Sequence, residues 1–162
     1  MIREAVEDDA GVLAELYWEL MGTPTDPRAL ALRLRALSGD SRFRVLVAED
    51  AGGHVVGTAY VVLAPDVVGE GRPFVVMDNL IVTPAARGQG IATALMEAVE
   101  SFAEGAQASL IMMVSGAARA EAHRLYRRLG YRVPVVGFQQ LPRYIHLHVL
   151  TLLIMVYCRH DT

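Results

Sequence analysis

Residues 74–114 constrain the fold of this chain more than any other stretch. FVVMDNLIV (74–82) is an apolar, β-branched run of strand length. TPAARGQG (83–90) follows, with Pro84 ending the run and two glycines closing the loop. From 88 to 104 the apolar positions Ile91, Leu95, Ala98, Val99 and Phe102 recur at helical spacing. SLIMMV (109–114) is nearly all apolar, the pattern of a strand buried on both faces. Strand, helix and strand in this order form a crossover unit, so the two strands lie parallel with the helix on one face.

The flanking segments supply the rest of a mixed α/β domain. IREA (2–5) reads as a short strand. Asp8 or Asp9 is placed to cap a helix through Val12, Leu13, Leu16, Leu20 and Met21, broken by GTPTDP (22–27). Asp26 and Pro27 open a second helix through Leu30, Leu34 and Leu37. FRVLVAED (43–50) and HVVGTAYVVLAP (54–65), separated by AGG, read as a hairpin. GAARAEAHRLYRRLG (116–130) is a helix closed by Gly130. YRVPVVGFQQ and YIHLHVLTLLIMVY supply final strand material. One domain over 1–162 is expected, with about 138–162 as a last strand or a C-terminal extension.

Composition narrows the function. At 53% apolar residues the chain can build a core, and a net charge of −3 argues against a nucleic-acid-binding face. The single cysteine, Cys158, allows no internal disulfide, and no Cys/His spacing suggests zinc. The acidic start lacks the features of a signal peptide, and the apolar run 149–158 is about half a membrane span. A soluble, cytoplasmic protein with no membrane partner and no metal is expected.

The loop at 83–90 suggests chemistry. A helix start leaves backbone N–H groups without partners and carries about half a positive charge. Gly88 and Gly90 remove side chains that would block those amides, and Arg87 adds a cation, so an anion site is one reading. The other is a turn that needs glycine. Two nucleotide motifs fail on the letters. Ile91-Ala92 stands where a phosphate loop needs Lys-Ser/Thr, and Thr93 stands where the dinucleotide fingerprint needs a third glycine.

Arg87-Gly88-Gln89-Gly90-Ile91-Ala92 does match the pattern R/Q-x-x-G-x-G/A. With DNLIVTPAARGQGIATALM around it and AEAHRLYRRLGY (120–131) beyond it, the chain resembles the GNAT (GCN5-related N-acetyltransferase) superfamily. The resemblance implies a central mixed, mostly antiparallel sheet, with flanking helices and a parallel pair splayed at the cofactor site. It implies transfer of an acyl group, most often acetyl, from acetyl-coenzyme A to an amine on a small molecule or peptide. The pyrophosphate would lie on the main chain of Gly88, Gly90, Ile91 and Ala92. Thr93 would share that helix start, and Arg87 and Gln89 would flank the phosphates. The pantetheine arm would run beside Leu80, Ile81 and Val82. Tyr126 would be the general acid. Asp78 would be the general base if its side of the strand faces the acceptor, and is otherwise a solvated acid. Strand alternation puts Asp78, Leu80 and Val82 on one side.

Arg119 departs from the family, whose members often carry asparagine there. Glu15 and Glu19 share a helix face beside Tyr17 and Trp18, which reads either as a cation-attracting acceptor wall or as a solvated face with Trp18 in the core. His146 and His148 read as polar edge residues, and the long apolar tail suggests a homodimer. A non-catalytic coenzyme A-binding regulatory module is the alternative function.

Overall fold

The computed structural model describes residues 1–116 and 118–131. Its elements, in order, are β1 (Ile2–Glu4), α1 (Ala10–Met21), α2 (Pro27–Leu37), β2 (Phe43–Glu49), β3 (Val55–Ala64), β4 (Phe74–Val82), α3 (Ile91–Gly105), β5 (Ile111–Met113) and α4 (Ala120–Arg128). The strands form one sheet in sequence order, antiparallel except for the parallel β4–β5 pair. This is the mixed sheet with flanking helices and a crossover that the pattern predicts.

Local chemistry explains several boundaries. The Asp26 carboxylate accepts the Arg28 N–H at 3.0 Å and Pro27 takes the first position of α2. In the β2–β3 turn, Asp50 Oδ1 accepts the N–H groups of Gly52 at 2.8 Å and His54 at 2.9 Å. Asp9 does not cap α1. Its carboxylate is taken by both terminal nitrogens of Arg3, at 2.7 and 2.9 Å, while Arg3 Nε donates to Glu49 at 2.7 Å. That clamp ties β1 to the start of α1 and to β2, and it outcompetes a neutral cap bond because both partners are charged.

The sheet has a helical layer on each face. Leu13 and Leu16 of α1 and Leu30 and Leu34 of α2 pack with Val47 and Ile81 on one side. On the other, Leu95, Met96 and Val99 of α3 and Tyr126 of α4 pack with Val75, Met77, Leu80 and Val82. The spacing along β4 is irregular, since Met77 and Leu80 share a face although three residues apart. The register shows why. Tyr60 pairs with Asp78 and Thr58 with Ile81, so two steps on β3 oppose three on β4. Asn79 sits in the bulge with φ +53°, a left-handed conformation that asparagine tolerates. The expected alternation is therefore corrected. Asp78 falls on the α1 side with Ile81, and Leu80 and Val82 face α3.

The parallel pairing is short. Val75–Met77 pair with Ile111–Met113, and β4 runs on to Val82 without a partner on that side among the described residues. The expectation for 109–114 is corrected too. Ile111 and Met113 pack against the α3 layer, but Leu110 and Val114 are exposed, because α1 and α2 cover β2, β3 and β4 rather than β5. No helix among the described residues is long and apolar enough to cross a membrane. The expectations for the final strands, His146, His148, Cys158 and the tail fall outside the described residues.

Candidate functional site

Beyond Val82 the chain turns sharply. Thr83 N–H still donates to Val56 O of β3 at 2.9 Å, and Pro84–Ala86 make one tight turn. Gly88 at φ +76° and Gly90 at φ +82° are both left-handed, which reverses the chain into α3 without a side chain in the way. Gly90 is the N-cap residue and offers no side-chain cap. The first bond within the helix runs from Ala94 N–H to Gly90 O at 3.0 Å, so the N–H groups of Ile91, Ala92 and Thr93 have no partner inside the helix. The glycines thus serve the turn and expose the amides at once.

The end of β4 forms the neighbouring wall. Thr83 bonds towards β3, so strand alternation turns the carbonyls of Leu80 and Val82 to the opposite edge, which β5 does not reach. Each carbonyl takes a guanidinium. Arg119 Nη2 donates to Leu80 O at 3.1 Å, and Arg87 Nε donates to Val82 O at 2.9 Å. The far end of Arg87 pairs with the Glu19 carboxylate of α1.

Helix α4 provides the third wall. Tyr126 is 8% exposed and meets Tyr131 edge to face, with ring centroids 6.4 Å apart. Burial pushes the Tyr126 phenol above its ordinary range, the Arg119 charge lowers it, and the Asp78 charge raises it further. The phenol therefore stays protonated at neutral pH.

These walls enclose a cleft of about 690 Å³, within the range of small-molecule sites. Leu80, Ile81 and Val82 line it from β4, and Arg87, Gly88 and Gly90 from the loop. Ile91, Ala92 and Thr93 line it from the first turn of α3, and Arg119 and Tyr126 from the α4 side. Two residues singled out in the sequence lie elsewhere. Gln89 turns back to donate to Ala85 O at 3.3 Å, and Asp78 lies on the α1 face of the sheet. The exposed Asp78 carboxylate accepts its neighbour's N–H, from Asn79, at 2.8 Å. Its cross-strand partner is Tyr60. The Tyr17 phenol is raised by burial, lowered by Thr58, and raised again by Tyr60 and Asp78. Tyr17, Tyr60 and Asp78 thus gather between α1 and the sheet.

On α1, Glu15, Trp18 and Glu19 are exposed. Trp18 is 55% exposed, so the reading that puts it in the core is corrected. The sequence reasoning missed Tyr60 and the tie between Glu19 and Arg87. The Asp78-Asn79 pair inside an apolar strand was the available signal for the bulge that separates Asp78 from the face of Leu80 and Val82. No local signal announces the ion pair. Chemically, the cleft offers free amides for an anion, a strand edge with carbonyls for amide donors, and a protonated phenol.

The profile of the acetyltransferase (GNAT) family matches residues 12–131. No curated protein matches the chain in sequence. Among solved structures, it is similar to a protein of Agrobacterium tumefaciens str. C58 that carries a provisional acetyltransferase assignment. Identity is 26%, the TM-score is 0.78, and the alignment covers 88% of this chain and 99% of that one. It shares its fold with a transcriptional regulator of Bacillus halodurans C-125, at 23% identity, TM-score 0.80 and coverage of 88% and 99%. It also shares it with glucosamine-6-phosphate N-acetyltransferase of Arabidopsis thaliana, at 14% identity, TM-score 0.78 and coverage of 87% and 97%.

Proposed function

This chain belongs to the acetyltransferase (GNAT) family, and we propose that it moves acetyl from acetyl-coenzyme A to a primary amine of a small molecule or peptide, by direct attack in a ternary complex. The observation that carries the proposal is the convergence of the free α3 amides, the open edge of β4 and the Tyr126 phenol on one cleft. Acetyl-coenzyme A supplies the activated thioester.

Main-chain N–H groups of Gly88, Gly90, Ile91 and Ala92, with Thr93 in the same turn, hold the pyrophosphate. Each charge-assisted bond is worth about 1.5–3 kcal/mol. Arg87 faces the same phosphates once it lets go of Glu19, and Gln89 closes the loop from outside. Leu80 and Val82 present main-chain groups to the pantetheine arm as one strand does to another, with Ile81 between them along the same stretch of β4. The amine arrives from the α1 side. An alkylamine titrates near pH ~10, so it must lose a proton before it attacks, and Asp78 receives that proton. Tyr126 is the general acid that protonates the departing sulfur, and its raised pKa keeps the proton on the phenol at neutral pH until it is needed.

Calorimetry with acetyl-coenzyme A followed by an amine panel read as released thiol tests this. The chain contains no lysine, so thiol release cannot arise from acetylation of its own lysine side chains. Saturable binding with amine-dependent thiol release is expected. Binding with no turnover on any amine points instead to a non-catalytic coenzyme A-binding module, and absence of binding overturns both.

A further inference from the structure

Both arginines on the open edge of β4 spend a donor on a main-chain carbonyl, but their charges are employed differently. Arg87 is neutralised by Glu19. Arg119 has no carboxylate partner among the described residues. Its backbone is fixed at the entry to α4, where its carbonyl accepts the His123 N–H at 3.0 Å. Its side chain reaches across to Leu80 O, 39 residues away in sequence, and lines the cleft with Tyr126. A guanidinium without a carboxylate partner therefore lines the same cleft as the Tyr126 phenol, and its charge is felt there. A phenol alone must complete proton transfer to neutralise a thiolate. A fixed cation stabilises the charge as it develops, and such stabilisation is strongest in a site that excludes water.

Building on the acetyl-transfer reading, we propose that Arg119 is a further catalytic residue. In the free protein its guanidinium rests on the Leu80 carbonyl. When an amide N–H of the acyl donor takes that carbonyl, the guanidinium turns onto the thioester sulfur and holds the departing thiolate until Tyr126 protonates it. The balance is complete. The amine nitrogen forms its bond to the acetyl carbon, the C–S bond breaks, and its electron pair goes to sulfur. The nitrogen sheds one proton to Asp78 before attack and a second that restores Tyr126, while sulfur gains one, so one proton leaves to solvent.

The test uses the full chain, with Arg119→Met and Arg119→Lys compared with wild type for binding and turnover. Coenzyme A and its desulfo analogue are titrated at pH 7 and pH 9.5, either side of ~8.5, where a simple thiol ionises. Other charged or titratable groups face this cleft or lie close to it: Glu19 from α1, Asp78 from β4, Arg87 from the loop, and Glu121, Tyr126 and Arg128 from α4. The desulfo analogue cancels their effect on the rest of the ligand, because it differs only at sulfur, and Arg119→Met isolates the share of the sulfur effect that is due to Arg119. Wild type should gain about tenfold in affinity for coenzyme A relative to the analogue at high pH, one unit of thiol pKa. Arg119→Met should lose that gain and Arg119→Lys should keep part of it. In turnover, Arg119→Met should lower kcat by about 100-fold with no rise in KM for acetyl-coenzyme A, since nothing need then be displaced from Leu80 O. The inference is overturned if the pH-linked gain is absent in wild type or persists in Arg119→Met. It is equally overturned if the variant loses KM alone. Wild type that binds no coenzyme A overturns the acetyl-transfer reading itself, a separate and visible outcome.

Discussion

Tyr126 belongs to the core and to the cleft at the same time, and this dual placement governs what its replacement does. Tyr126→Phe keeps the ring packed on Tyr131 and removes only the proton donor. The expected result is a fall in kcat of about 100-fold with the affinity for acetyl-coenzyme A unchanged, checked by steady-state rates beside calorimetry. Asp9 acts on stability instead. Its carboxyl is held below the usual range by the Arg3 hydrogen bonds, despite burial that works the other way, with the Val6 N–H adding to the effect. A depressed pKa gives stability that is present above the unfolded value near pH ~3.9 and is lost as pH falls through the lower folded value. Urea midpoints should therefore drop below about pH 4 in wild type, while Asp9→Asn should already be weaker by about 1–3 kcal/mol at neutral pH and respond less to acid. The Arg3–Asp9 tie was invisible in sequence, where Asp9 looks like an ordinary helix cap.

At the scale of elements, two glycines near the cleft are needed for different reasons. Gly90 has open space where a Cβ would go, but its φ of +82° is the left-handed conformation. Gly90→Ala should cost about 1–2 kcal/mol of backbone strain and, by shifting the start of α3, weaken acetyl-coenzyme A binding. Thermal unfolding with and without ligand separates the two effects. Gly57 lies in β3 opposite Val82, where a Cβ would sit 3.0 Å from Ile81 O and 3.1 Å from Val82 Cγ2. Gly57→Ala forces β3 and β4 apart next to the site and should lower stability by about 1–3 kcal/mol, read from urea unfolding. The first glycine was legible from its place at a helix start. The second was not, since close approach of two strands depends on a register that neither strand states alone.

For the molecule as a whole, the sheet separates two hydrophobic layers that share the strands but few neighbours. Leu13→Ala in one and Leu95→Ala in the other should each cost about 2–5 kcal/mol. Their double variant should cost the sum to within about 0.5 kcal/mol, measured by urea unfolding, because the two residues belong to separate buried clusters among the described residues. By itself the sequence determined the order of strands and helices, the parallel crossover and the glycine-lined start of α3. Those follow from periodicity, chain geometry and the conformations that glycine permits, all local properties. Only the tertiary structure decided that a bulge at Asn79 puts Leu80 and Val82 on the opposite face from Asp78, that Arg87 pairs with Glu19, and that Arg119 reaches Leu80 O. Each of these joins residues far apart in the chain or depends on the register between strands. Such contacts are set by how packed layers meet, and no local spacing encodes them.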